Sequence, residues 1–427
     1  MLQRIRKFTD RLLQIDSAYM ITNGFWLSFG KIMSMLVLLF LSVAYAKYLT
    51  KDVYGEFRYV MSAMGMFSIL TFPGLATSVM RSVARGYEGT FRDAAWRMFF
   101  ISFGMTVVGF GFAFFYFFFP QNISLAFGFV VAAALAPLVE GLGTWRAYLD
   151  GKKEFKQKAL RNISGNIFYG LLMATALAAI YYGHASINIS LAILLGASYI
   201  GHGLPNIIYS IKSLRNIPAN APTEPGSLTY GYHLTLLDII PNVAYNIDAI
   251  LLFNFLGPST LAVYSFAIAP IEQIRTLFDL VLTMVFPKIA MKTKNAETTD
   301  KLKGAIRVKV LRSLPVTAAA VLAYILAAPV LYHYLFPAYT ESILPSQILA
   351  LSLIFFPLNI STSALKAEGN IKKLFIISTI PPVAKIAAFL VFVPLYGLWG
   401  AVAVRVAGII LNYFLAFFLF QKKLAMI

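Results

Sequence analysis

Nine ionisable side chains stand inside long apolar runs, and through them this sequence could do chemistry: Lys31, Arg275, Lys385 and Arg405 are basic, and Glu140, Asp238, Asp248, Glu272 and Asp279 are acidic. A charge held in hydrocarbon costs about 2.5–3.5 kcal/mol on insertion scales, so such groups face a cavity, an ion or an opposite charge. Lys31 and Lys385 fall near the middle of their runs, too deep to snorkel easily. Glu272, Arg275 and Asp279 are three and four apart, on one face of a helix; they form either a structural ion pair or part of a site. Asp248 is either an ion or proton site or the counter-charge of Lys31 or Lys385. Arg405 and Lys385 have few acidic neighbours in their own half, so they either line a wet cavity for an anion or pair across the halves.

Other chemistry is missing. There is no cysteine, which removes disulfides, thiolate metal sites and cysteine nucleophiles. The four histidines, His184, His202, His233 and His333, show no metal-ligand spacing. No phosphate-binding G-x-x-x-x-G-K-[ST] loop and no nucleophile elbow occurs. The expectation is therefore no enzyme, no catalytic residue, no metal and no cofactor, with transport as the default activity.

The elements that position the nine charges follow from composition. Of 427 residues, 59% are hydrophobic and 13% charged, against about 45–50% and about 25% in soluble domains. A span needs roughly 20 apolar residues. Apolar runs near 21–46, 59–80, 97–119, 124–148, 160–182 and 188–210, then near 232–256, 260–286, 311–335, 344–365, 372–394 and 398–420, predict an all-α polytopic membrane protein with about twelve transmembrane helices. Pro241, Pro270, Pro287, Pro329, Pro357, Pro381 and Pro382 fall within or at the ends of second-half spans and can kink them.

The net charge of +18 reads as membrane topology rather than nucleic-acid binding. With the N-terminus inside, 29 of the 36 Lys and Arg collect in segments that face the cytoplasm, as short cytoplasmic loops require. Only the first outer loop breaks the rule, with Lys47, Lys51 and Arg58 beside Asp52 and Glu56. Both termini are expected in the cytoplasm, in a multi-pass protein of the inner, cytoplasmic membrane. The first residues do not read as a secretory signal. Ile5, Phe8, Leu12 and Ile15 at helical spacing suggest either a surface-lying helix or a basic anchor.

Five segments result: 1–20, a cytoplasmic or interfacial basic segment; 21–210, an N-terminal six-helix lobe; 211–230, a Pro-rich cytoplasmic linker; 231–420, a C-terminal six-helix lobe; and 421–427, a cytoplasmic tail. The halves look like copies. Val53-Tyr54-Gly55 follows the first span and Val263-Tyr264-Ser265 the seventh. Leu149-Asp150-Gly151 ends the fourth and Ala367-Glu368-Gly369 the tenth. Six is even, so both copies insert in the same direction, with pseudo-symmetry about the membrane normal.

These motifs also carry a resemblance. Ala46-Lys47-Tyr48-Leu49 and Val53-Tyr54-Gly55-Glu56-Phe57, then Gly74-Leu75 and Arg81-Ser82-Val83-Ala84, resemble the first two spans of polysaccharide flippases, within the multidrug/oligosaccharidyl-lipid/polysaccharide exporter superfamily. Ile247-Asp248-Ala249-Ile250-Leu251, Phe255-Leu256-Gly257, Val263-Tyr264-Ser265 and Phe286-Pro287 are similar to its seventh and eighth spans. Leu395-Tyr396-Gly397-Leu398-Trp399-Gly400-Ala401 resembles the start of its last span, and Ala367-Glu368-Gly369-Asn370 the turn after its tenth. The resemblance implies two lobes around a central cavity, working by alternating access. It implies a lipid-linked oligosaccharide on polyprenyl pyrophosphate as substrate, moved from the cytoplasmic to the outer leaflet for surface polysaccharide such as O-antigen, with polymerase machinery as a candidate partner beside the bilayer and no nucleic acid. Twelve spans favour this branch over the fourteen-span lipid II flippases. The alternatives are a lipid II-type flippase or a multidrug/cation antiporter, in whose branch acidic sites dominate the cavity. On this reading Lys31, Arg275, Lys385 and Arg405 bind the pyrophosphate, and Asp248 and Glu272 are candidates for ion coupling.

Overall fold

The protein is described by a computed structural model, which covers residues 17–292, 296–368 and 371–422. The expected amphipathic stretch at 1–16 and the tail at 423–427 lie outside the described residues, as do the side chains of several of the counted cations at 280–302 and 366–371.

Among the described residues every regular element is helical. Chain order gives α1 (Ser17–Tyr48), α2 (Lys51–Phe67), α3 (Gly74–Ala84), α4 (Gly89–Phe118), α5 (Ile123–Ala136), α6 (Trp145–Gly151), α7 (Phe155–Tyr182) and α8 (Ile187–Arg215). Then come α9 (Ser227–Lys292), α10 (Ala296–Leu335), α11 (Ile343–Ala350), α12 (Ile360–Glu368) and α13 (Ile371–Gln421), with short 3-10 or π turns between some of them. Two helices begin where a side chain takes one of the unpaired first N–H groups. Thr50 accepts from Val53 N–H at 3.4 Å and Asn122 from Leu125 N–H at 3.0 Å.

Nine of the described helices are long and apolar enough to cross a membrane, ten if Lys51–Thr71 and Gly74–Ala84, bent by 50°, form one span. Two of these, Ser227–Asp279 and Lys372–Gln421, have 53 and 50 residues. At 1.5 Å per residue they run about 75–80 Å, more than twice a ~30 Å hydrocarbon core. Each breaks once: Gly257 has φ 82° and ψ 175°, and Gly397 has φ 58° and ψ −134°. Left-handed backbone of this kind suits residues without a Cβ. With each broken helix counted as two crossings, the nine described helices make eleven, and twelve if the bent pair is one span.

The chain divides into two compact units. The first holds the described residues to Ser42 and Leu70–Thr235. Its core includes Val79, Val83, Phe91, Trp145, Tyr148 and Leu149. The second holds Val43–Ile69 and the described residues from Leu236 on, with Phe356, Leu365, Tyr413 and Phe420 in its core. The lobe boundaries expected from sequence put 43–69 with the first half, whereas here that hairpin packs with the second. Its contacts explain why. Tyr54 meets Phe266 at 4.8 Å between ring centres, Tyr59 stacks on Phe253 at 4.0 Å, and Asn242 donates to the Gly65 carbonyl at 3.2 Å.

The Pro-rich stretch is shorter than its sequence suggests, because α8 continues to Arg215. The rest is a strap bound to the first unit. Gly89 N–H donates to Pro222 O, Arg92 to Ala219 O, and Ser78 to Ser227 O. Glu224 accepts from Ser82 at 2.5 Å and from Arg85 at 2.7 Å, with Arg81 at 3.8 Å.

Two outcomes test this packing. A Cβ on Gly55 would lie 2.0 Å from the Pro258 carbonyl oxygen, whereas one on Gly104 meets nothing within 4 Å. Gly55→Ala is expected to lose most folded protein in a size-exclusion assay, and Gly104→Ala to retain it. The Glu224 carboxyl is held below its ordinary value, chiefly by the Ser82 hydrogen bond, against a smaller opposing effect of burial and with help from Arg85 and Arg81. A depressed carboxyl stabilises the fold above its unfolded pKa and loses that effect as pH falls through the folded value. The melting-temperature gap between wild type and Glu224→Gln should therefore be present at about pH 7 and close in acid, below the ordinary carboxylate range.

Candidate functional site

In the second unit, three helical stretches bring the predicted charges together. Asp248 stands on the first limb of α9, nine residues before the Gly257 break, and Glu272 and Arg275 on its second limb. Arg405 stands on the last limb of α13, eight residues after Gly397. Both helices turn back at these glycines, so residues far apart along one helix meet side by side.

Arg405 is the hub. Its guanidinium donates to Asp248 Oδ2 at 2.5 Å and to Glu272 Oε1 at 2.9 Å. The side chains of Arg405 and Asp248 are 10% and 5% exposed, so little water competes for them. Asp248 Oδ2 also accepts from the Tyr264 hydroxyl at 3.0 Å, and Oδ1 from the Ala249 N–H at 2.9 Å. Arg275 lies 3.7 Å from Glu272, on the other side of that carboxylate. A cavity of about 10 Å³, room for about one water, is lined by Glu272, Arg275, Arg405, Ser352 and Tyr413 among others.

Lys385, on the first limb of α13, donates to the Ala244 carbonyl at 2.7 Å, with its ammonium 5.3 Å from the Phe389 ring centre. It lies within electrostatic reach of Asp248, Glu272, Arg275 and Arg405. Lys31 is half-buried on α1 in the first unit, and the structure does not group it with the other three. Arg405 thus has two acidic neighbours in its own half, contrary to the sequence expectation, and Asp248 answers Arg405 rather than Lys31. The Glu272–Arg275 contact exists, but Glu272 makes its shorter bond to Arg405.

A second polar group, in the first unit, was missed. Between α5 and α6 the chain makes a π turn, Pro137–Gly141. Pro137 has no N–H, and a wider turn leaves carbonyls unpaired. Asn206 donates to Val139 O at 2.9 Å and Ser210 to Leu142 O at 2.6 Å, both from α8. The Trp145 indole donates to Asn206 at 3.1 Å. Half-buried Glu140 lies on this turn in electrostatic contact with Arg146. Arg146 also donates to Asn162 at 3.2 Å and stacks over Trp145 at 4.7 Å. From sequence, Arg146 counts among the cations of a cytoplasmic segment, with Lys152, Lys153, Lys156, Lys158 and Arg161. Pro137 beside an intramembrane glutamate was the available signal.

Long, mostly apolar helices, two of them broken, define a multi-pass membrane protein, and its fold is shared with solved transporters. A solved structure described as lipid II flippase MurJ in an inward closed conformation superposes with a TM-score of 0.67 at 15% identity, covering 92% of this chain and 86% of that one. An inward-facing multidrug resistance MATE family transporter of the MOP superfamily gives 0.67 at 15%, covering 93% and 97%. A MOP superfamily transporter from Pyrococcus furiosus, described as having a binding pocket of reverse polarity, gives 0.58 at 14%, covering 93% and 94%. At these identities the likeness is one of fold. The family described as "Polysaccharide biosynthesis protein" matches residues 20–293. The chain belongs to that family. No curated protein matches the sequence.

Removing one member of a buried ion pair strands the other, at about 3–5 kcal/mol. Arg405→Ala is expected to lose folded protein sharply. Arg405→Met with Asp248→Asn should restore much of the yield, because Glu272 keeps Arg275, 3.7 Å away, as its partner. Fluorescence-detected size exclusion of wild type and the two variants checks this.

Proposed function

We propose that the protein is a flippase that moves lipid-linked oligosaccharide, a sugar head on polyprenyl pyrophosphate, from the cytoplasmic to the outer leaflet of the cell's cytoplasmic membrane, serving surface polysaccharide synthesis with polymerase machinery as its downstream partner. Family membership carries the reading. Both termini lie in the cytoplasm on this proposal, since that orientation collects 29 of the 36 Lys and Arg inside. The physical task is to move hydroxyls and phosphates through hydrocarbon, where each unsatisfied polar group costs several kcal/mol. A hydrated path through the protein removes that cost while the polyprenyl tail stays in lipid.

Lys31, Arg275 and Lys385 are the cations assigned here to the pyrophosphate. Arg405 has a different part in this scheme: its charge is met by Asp248 and Glu272, so it positions Arg275 and Lys385 around the shared carboxylates. The same pairing bears on the driving force. Two carboxylates already holding a guanidinium need no mobile cation. Meanwhile two negative charges moving outward, down a cytoplasm-negative potential, gain roughly 4–5 kcal/mol per 100 mV. Export driven by the potential is favoured over cation coupling at Asp248 and Glu272.

In reconstituted vesicles carrying lipid-linked oligosaccharide, Lys385→Ala and Lys31→Ala should cut transfer at unchanged protein level. Wild-type transfer in both variants overturns the cation assignment. Collapsing the pH gradient at constant potential should leave transfer unchanged, and collapsing the potential should slow it. The reverse pattern identifies proton coupling.

A further inference from the structure

The first unit contains an open cleft of about 260 Å³ that plays no part in the charge cluster. It forms where the start of α4 meets the strap and the start of α9. Thr90, Asp93 and Arg97 follow one another at i, i+3 and i+7, hence on one face of α4, and all three line it. Ser227, Thr229 and Tyr232 line it from the first turns of α9. The strap holds these walls in register. Glu224 N–H donates to the Thr90 hydroxyl oxygen at 2.9 Å, which leaves the Thr90 proton to be donated elsewhere. Tyr232 is braced edge-on by Phe72, 5.0 Å between ring centres.

This lining has a specific chemistry: two carboxylates, of which Glu224 is already taken up by Ser82, Arg85 and Arg81 and Asp93 is left to accept; one guanidinium that only donates; four aliphatic hydroxyls that do both; and an aromatic ring. An anion is disfavoured by Asp93, and a cation by Arg97. No group of metal-ligating side chains occurs among the described residues. A neutral polyol, each of whose hydroxyls both donates and accepts, matches the whole set. The cleft is smaller than the ~300–1,000 Å³ that suits drug-sized ligands, so it has room for one sugar ring.

We propose that the cleft lined by Asp93, Arg97, Thr229 and Tyr232 is a saccharide subsite that receives one neutral sugar ring of the substrate at the strap side of the protein. The inference rests on the flippase reading for its substrate, and on the proposed orientation for placing the strap in the cytoplasm, where the loaded lipid would arrive. Asp93 accepts two ring hydroxyls and Arg97 donates to a third, and the ring's apolar face lies on Tyr232.

The chain has no cysteine, so a single Thr229→Cys thiol reports on the cleft in the full-length protein in nanodiscs. Its reaction rate with a water-soluble maleimide is measured alone and with glucose, galactose, rhamnose, N-acetylglucosamine, N-acetylgalactosamine or inorganic phosphate. At least one sugar should slow labelling, phosphate should not, and Asp93→Asn or Arg97→Gln should raise the half-protecting concentration about tenfold, the loss expected for a charged hydrogen bond. No protection by any of the five sugars, protection by phosphate instead, or protection that survives both substitutions overturns the subsite. Transfer of lipid-linked oligosaccharide by the same nanodisc-active protein is scored separately in vesicles. If wild type transfers while no sugar protects the thiol, the subsite alone falls. If sugars protect while wild type transfers nothing, the flippase reading falls and the cleft stands.

Discussion

Inside a protein surrounded by lipid, a guanidinium must find its counter-charges nearby, and much of the second unit is arranged to let Arg405 do so. Asp248 and Glu272 lie 24 residues apart on a single helical element, and an unbroken helix would hold them about 36 Å apart. The reversal at Gly257 folds the two limbs together, and the reversal at Gly397 brings Arg405 to both. Tyr264 and the Ala249 N–H complete the shell of Asp248. Both oxygens of the Asp248 carboxylate are thereby given donors, which is the condition under which a buried pair is tolerated.

The same rule governs backbone. Both units interrupt their helices, and at several of these places a side chain from another element takes a backbone carbonyl. In the first unit Asn206 and Ser210 serve the π turn at Pro137. In the second, Lys385 serves Ala244 near Pro241, Thr317 serves Ile354 before Pro357, and Ser342 serves Val263. Small polar residues within spans, unremarkable in composition, are thus what make irregular helices possible in hydrocarbon. They also place charges: Glu140 sits on the π turn.

The two Val-Tyr-small motifs show how far repeated sequence predicts repeated roles. Tyr54 packs against Phe266 and Tyr339, and Gly55 lets the α2 backbone approach Pro258. Tyr264 instead gives its hydroxyl to Asp248, because a carboxylate lies opposite it. The motif marks a place where helices meet closely. Its neighbours decide whether the tyrosine packs or donates.

The amino-acid sequence by itself determined the all-helical membrane class and which charges lie within apolar runs, because hydrophobic length and the cost of buried charge are properties of local sequence. It also marked Glu272 and Arg275 as neighbours, since helical spacing is local. Only the tertiary structure decided that Arg405 joins Asp248 to Glu272, that residues 43–69 pack with the second unit, and that Arg146 meets Glu140. Each of those contacts depends on a chain reversal, a π turn or a hairpin docking against distant aromatic residues. Linear spacing cannot encode which of several distant opposite charges a reversal will bring within hydrogen-bonding reach.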